Sequence, residues 1–129
     1  GEINLKSDIT LEINLKKREG IYLDTKRALV WQDMIANKTL TFNWNDAKKY
    51  CEDLDFDGST QWYLPHLDEL NTLYLQKDAL KFISPDRYWT SVEDSNDTTE
   101  AIVSMFIFGD SYSDSKKEKD NVRCVRVKK

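Results

Sequence analysis

Hydrophobic periodicity changes twice along this chain, and those changes restrict its fold more than any single motif does. Residues 21–32 are rich in β-formers, end at Trp31 and Gln32, and read as two short strands around a turn at residues 24–27. From Asn43 the period becomes helical. Trp44, Ala47, Tyr50, Cys51 and Leu54 recur at the i, i+3, i+4, i+7 spacing that puts them on one face, with Asn43 as N-cap. Residues 53–60, containing Asp55, Asp57 and Gly58, read as a polar loop. Pro65 then stands where a helix begins, because its missing N–H has no intrahelical partner there, and Leu67, Leu70, Leu73 and Tyr74 mark the buried face of a second helix. From Tyr88 the pattern returns to strands, at residues 88–92, 101–108, a short stretch near Tyr112, and 122–127. The order strand, helix, helix, strands predicts an α+β fold, with two helices packed on a small, mainly antiparallel sheet.

The 129 residues fit one domain, and 40% hydrophobic with 12% aromatic residues supply one packed core, which excludes a wholly disordered chain. No apolar run approaches the ~18 residues needed to span a bilayer, and the first residues lack the basic and apolar regions of a signal peptide, so no membrane insertion is expected. A net charge of −4 argues against nucleic acid as a partner, since counterion release needs a basic surface. The charge is unevenly placed. Residues 93–114 hold six acidic and no basic residues, whereas residues 115–129 hold seven basic and two acidic; a solvated face is the ordinary reading of such runs.

Residues 1–19 form a separate stretch ahead of a domain at residues 20–129. The pentapeptide Glu-Ile-Asn-Leu-Lys occurs at residues 2–6 and again at 12–16, and Ile9, Leu11, Ile13 and Leu15 alternate with polar residues. That alternation predicts an N-terminal strand or hairpin, with the tail of an upstream repeat as the other reading.

Cys51 falls in the first helix and Cys124 in the last strand. Two thiols alone leave the pair open between a bridge and buried free cysteines. Neither reads as a nucleophile, because Cys51 shares the apolar face of Ala47 and Leu54, where burial raises a thiol pKa. One His and two distant Cys do not make a zinc tetrad.

Four segments, in order, resemble a known family. They are residues 25–32 ending in Leu-Val-Trp-Gln; residues 43–54 with Trp-x-x-Ala-x-x-Tyr-Cys-x-x-Leu; residues 62–70 with Trp-Tyr-Leu-Pro-x-x-x-Glu-Leu; and Tyr-Trp-Thr-Ser at 88–91 followed by Val-Arg-Cys-Val-Arg at 122–126. The set, spanning residues 20–127, resembles the bacterial Lcl C-terminal domain family, long catalogued as a domain of unknown function. That family is related to C-type-lectin-like folds and more distantly to formylglycine-generating enzymes. The family's Asp-Trp-Arg-Leu-Pro is here Gln61-Trp62-Tyr63-Leu64-Pro65, so no role of that Asp and Arg carries over. The resemblance implies a disulfide between Cys51 and Cys124, tying the first helix to the last strand, and with it an extracytoplasmic location: cell surface, secreted or periplasmic. It also makes Trp31, Trp44, Trp62 and Trp89 core residues in the first instance.

Trp44-Asn45-Asp46 spells a calcium-binding motif of true C-type lectins, but it opens the first helix instead of lying in a late strand. Asp46 is there expected to serve the positive helix end. The lectins' Glu-Pro-Asn and Gln-Pro-Asp sugar motifs are absent. The candidate surface is the pair of late loops at residues 93–99 and 109–121. Asp94, Asn96, Asp97, Asp110 and Asp114 carry the hard oxygen atoms that calcium takes, although the same residues favour turns and solvation. No cofactor is expected; calcium is the one that these residues leave open. Lys116, Lys117 and Lys119 form a rival, flexible cationic strip suited to sulfated or carboxylated glycans, with a solvated loop as its plainer reading. Catalysis finds no support: His66 is the only His and reads as a capping or surface residue. Asn37-Lys38-Thr39 and Asn96-Asp97-Thr98 fit a glycosylation pattern that is common by chance.

These features lead to an expected extracytoplasmic binding module for adhesion, not an enzyme, that recognises a glycan or a host or bacterial surface protein through its late loops. The alternatives are a structural or oligomerisation domain of a larger surface protein, and an enzyme of the formylglycine-generating type.

Overall fold

The computed structural model describes residues 19–129, so the expected N-terminal strand or hairpin lies outside the described residues. β1 (Ile21–Asp24) and β2 (Leu29–Gln32) pair antiparallel, and β2 pairs on its other side with β8 (Val125–Val127). The remaining strands make a second sheet: β3 (Thr41–Phe42), β4 (Arg87–Glu93), β5 (Glu100–Met105), β6 (Asp110–Ser115) and β7 (Asp120–Asn121), in the order β3-β7-β4-β5-β6. All pairings are antiparallel except β4 with β7. The expected α+β class is found, with the strands divided between two sheets where one was expected.

Three α-helices and one 3-10 turn (Lys77–Ala79) lie among the described residues. The short α1 (Ala36–Thr39) and the two-residue β3 had no periodic signal to betray them. α2 (Trp44–Glu52) forms as the spacing required: Asn43 is its N-cap, the Asn43 Oδ1 accepts from the Asp46 N–H at 2.9 Å, and Trp44, Ala47 and Cys51 are buried. The Asn43 amide in turn donates to Asp46 Oδ2 at 3.1 Å, which fixes Asp46 at the positive helix end. α3 (Leu67–Tyr74) starts two residues later than Pro65 indicated. Its N-cap is His66, whose backbone N–H donates to Glu69 Oε1 at 2.9 Å, while Pro65 sits just outside.

Two further boundaries differ from the sequence reading. Residues 106–109 form the turn between β5 and β6, although Phe106, Ile107 and Phe108 had read as strand. Gly109 makes that turn possible: its φ is +78°, and a Cβ there would fall 2.4 Å from the Tyr74 ring. The last strand is also broken. Val122, Arg123 and Cys124 lie between β7 and β8, all buried, so the β-rich stretch at residues 122–127 concealed an irregular crossing through the interior.

α2 covers a core of Trp44, Ala47, Trp62, Leu64, Trp89, Val103 and Val122, closed by the Cys51–Cys124 disulfide. α3 covers a second, of Trp31, Leu70, Leu73, Tyr88, Phe106 and Val125. All four tryptophans are 3% exposed or less. Trp44, Trp62 and Trp89 donate their indole N–H to the backbone oxygens of Thr90, Phe56 and Phe42, so each is oriented as well as buried. Polar groups cross the interior too. Asn37, fully buried, donates to Gln32 Oε1 at 2.8 Å and to the Val122 carbonyl at 3.0 Å, which puts the first glycosylation pattern out of reach of solvent.

Candidate functional site

The late loops are built from turns that fix most of their acidic residues locally. In the β4–β5 turn, Asp94 accepts from the Asn96 N–H at 2.8 Å and from the Ser113 hydroxyl. Asp97 accepts from the Thr99 N–H at 2.9 Å and its hydroxyl at 2.6 Å. The Ser113 bond is the main reason the Asp94 carboxyl is held below its ordinary range, and the Thr99 hydroxyl does the same for Asp97. Asn96 is exposed beside them. Asp110 is exposed at the opposite end of β6, facing Met105 across the β5–β6 pair. Asp114 turns inward, 3.9 Å from the Arg87 guanidinium. The five candidate calcium ligands are thus dispersed, and among the described residues no group of three or more carboxylates, imidazoles and thiols is placed to hold a metal ion.

The three lysines also part company. Lys116 is not a flexible strip residue: its Nζ lies 3.0 Å from Glu93 Oε2, donates to the Thr98 carbonyl at 2.5 Å, and sits 4.4 Å from the centre of the Trp44 ring. Its backbone is held as well, the N–H donating to Thr99 O and the carbonyl accepting from the Trp44 N–H. Lys117 and Lys119 are exposed on the turn between β6 and β7.

That turn folds back onto the start of α2, and the two together enclose a groove of roughly 670 Å³. One wall is Asn43, Asn45 and Asp46; the other is Thr99, Ser115, Lys116 and Lys117. Lys48, 4.6 Å from the Trp44 ring, adds a third ammonium near the helix start. Asn45 and Asp46 had been set aside because their motif sits in the wrong element for a calcium lectin. The structure brings them opposite the late loops, through the Trp44 to Lys116 backbone bond at 3.1 Å, a tertiary contact that local spacing does not encode. Chemically the groove offers ammonium groups, amides and hydroxyls beside the Asp46 carboxylate, which itself takes up the positive end of the helix; the set suits ligands that combine hydroxyl groups with sulfate or carboxylate oxygens at the lysine side.

Outside the groove, the altered tryptophan element keeps its architectural work by other means. Tyr63 donates its hydroxyl to Glu69 Oε2 at 2.7 Å and exchanges backbone bonds with Val125. Burial, and then Glu69, push that phenol well above its usual range. Arg126 stacks 5.3 Å from the centre of the Trp62 ring while donating to Asp57 Oδ2 at 2.7 Å.

No curated protein sequence matches the chain. Among solved structures the fold is similar to that of botrocetin, with a TM-score of 0.59 at 12% identity over 84% of this chain and 97% of that one. It is also similar to a chain in a botrocetin complex with a mutant von Willebrand Factor A1 domain, with a TM-score of 0.56 at 11% identity over the same shares. At such identities the likeness speaks for the C-type-lectin-like fold alone. The sequence itself carries the relationship further: the Lcl C-terminal domain model matches residues 20–126, from the start of β1 into β8, and the chain belongs to the Lcl C-terminal domain family.

Proposed function

We propose that this chain is an extracytoplasmic binding module of a bacterial surface or secreted protein, with the groove between the start of α2 and the late loops as its ligand site. The ligand is an anionic glycan, or a protein presenting similar groups. The observation that carries this reading is the convergence of Lys116 and Lys117 with Asn43, Asn45 and Thr99 around one groove. The fold supports it, since a botrocetin chain of similar fold is seen in complex with a protein domain. A disulfide closing a separation of 73 residues favours an oxidising compartment, and no described helix is long and apolar enough to cross a membrane.

Glycan-array binding tests the proposal under calcium, chelator and raised salt. Binding that survives chelation and weakens with salt is expected, because ammonium groups at an open groove are screened within about a Debye length, ~10 Å at 0.1 M. Absence of binding to every sulfated and carboxylated glycan, in all conditions, would abandon the glycan form.

A second reading, assembly with further copies of the chain, is favoured by a different surface. Ile107 and Phe108 are 50% and 71% exposed at the β5–β6 turn, beside a small hollow lined by Ile83, Pro85 and Phe106. Solution scattering that reports an oligomer lost on Phe108→Ser would support it, and a monomer at all concentrations would remove it.

A further inference from the structure

Two aspartates stand at the two ends of the turn that carries the groove's lysines. Asp114 lies near the end of β6, Asp120 opens β7, and residues 115–119 between them include Lys116 and Lys117. Both carboxyl groups converge on the side chain of Arg87. Asp120 is 3% exposed, and Arg87 reaches both, its Nε 3.0 Å from Asp120 Oδ1 and its Nη1 3.9 Å from Asp114 Oδ2. Yet Asp114 Oδ2 and Asp120 Oδ2 are buried atoms with no hydrogen-bond partner among the described residues.

One guanidinium cannot balance two carboxylates. Asp86, 3.6 Å from the same Arg87 Nε, draws on it as well. The other neighbours do not make up the deficit. β6 adds only the Tyr112 phenol near Arg87, not a second cation. β5 adds Ala101 opposite Asp114, and Glu100 one pair along opposite Ser115. β3 presents Phe42 opposite Asp120, and β4 presents Tyr88 opposite Asn121. Glu118 and Lys119 are exposed on the turn. Two like charges held together away from water are costly, whereas a proton shared between the carboxyls removes the surplus charge and gives a buried oxygen its donor.

We propose that the Asp114–Asp120 pair is a proton-operated clasp. Holding one proton, it closes the 115–119 turn and keeps Lys116 and Lys117 at the groove; once the proton is lost, repulsion frees the turn and the groove loses its hold on anions. The electrostatics of the site act in the same direction. Burial, then the hydrogen bond and charge of Asp114, push the Asp120 carboxyl up to about 8, with Arg87 acting in the opposite sense. The clasp deepens the groove reading above, on which its role in binding rests.

The test uses the whole chain with no ligand, by carboxyl-carbon NMR and amide hydrogen exchange from mildly acid to alkaline pH. The Asp120 carboxyl is expected to titrate near about 8. Protection of the 115–119 amides, corrected for the intrinsic exchange rate, should fall by up to about tenfold per pH unit below that midpoint and level off above it, as release of one proton requires. In Asp120→Asn, which keeps a donor and removes the charge, the dependence should vanish while the thermal transition remains cooperative. Asp114→Asn provides the same comparison if the first variant does not fold. An Asp120 carboxyl titrating near ~4 with ordinary carboxylates, or amides of the turn that ignore its titration, would overturn the clasp. So would protection produced by added calcium chloride in place of the proton. Because no ligand is present, these failures leave the groove reading standing, and an empty glycan array leaves the clasp standing.

Discussion

Asp33 and Arg123, 90 residues apart in the chain, meet in the interior with carboxylate Oδ1 and guanidinium Nη1 separated by 3.2 Å. Arg123 is fully buried and Asp33 6% exposed. Each is also bound to backbone: Asp33 accepts from the Lys81 and Phe82 N–H groups at 2.8 and 2.9 Å, and Arg123 donates to the Gln32 carbonyl at 2.7 Å and to the Phe82 carbonyl. The pair therefore joins the end of β2, the segment after α3 and the crossing before β8. Arg123→Met should destabilise the fold by about 3–5 kcal/mol, because it strands a buried carboxylate. Adding Asp33→Asn should recover part of that loss, and urea denaturation of the single and double variants measures both.

Removing the disulfide acts mainly on the unfolded chain. Closure over a separation of 73 residues predicts a loss of roughly 4 kcal/mol on the chain-entropy model for the double variant Cys51→Ala, Cys124→Ala. Denaturation with and without reductant measures it, and alkylation of the non-reduced protein should find no free thiol. Two free thiols in the purified protein would refute the bridge.

The Asp120 carboxyl makes a signed prediction about pH. Its folded pKa is raised, so its stabilising effect is complete below its unfolded value near ~3.9 and is lost progressively as pH rises towards about 8. Asp120→Asn has no such dependence. The variant should therefore gain on the wild type across that window, by about 2 kcal/mol at its alkaline end, the full linkage being offset by the weaker partner left to Arg87. Thermal unfolding at a series of pH values reads the difference, and parallel curves would exclude a raised carboxyl.

The two groove lysines should separate in their effects. Lys117→Ala should weaken binding of a sulfated oligosaccharide by roughly fivefold, about 1 kcal/mol, with an unchanged melting temperature. Lys116→Ala should weaken binding and also cost about 1 kcal/mol of stability, since it gives up Glu93, the Thr98 carbonyl and the Trp44 ring. Calorimetry on both variants, with a melt of each, distinguishes a ligand contact from a brace.

What could be read from the sequence followed the physics that is local. The face of α2 and its Asn43 cap are set by spacing alone, and the burial of the four tryptophans follows from their size. The Cys51–Cys124 pairing needed the family resemblance, because nothing between those residues specifies their distance. Asp33 and Arg123 were missed for a physical reason: charged residues are ordinarily exposed, and only the folded chain shows that each is the other's partner. Ile107 and Phe108 misread as strand because apolar character marks burial, whereas here both are exposed. In the groove, Lys116 and Lys117 were visible as a basic cluster and Asn45 and Asp46 as a motif; their approach to one another is tertiary and left no mark in either segment.

The disulfide also decides how the domain would answer mechanical tension. β1 and β8 flank β2 in one small sheet, so a pull applied between residue 20 and residue 129 loads that sheet first. Once it shears, extension stops at the covalent tie: the chain between Cys51 and Cys124, roughly 250 Å of contour at full length, stays out of the force path. The groove wall formed by residues 99 and 115–117 lies within that shielded span, while Asn43, Asn45 and Asp46 lie on the exposed side of the tie. A stretched domain would lose one wall of its groove before the other.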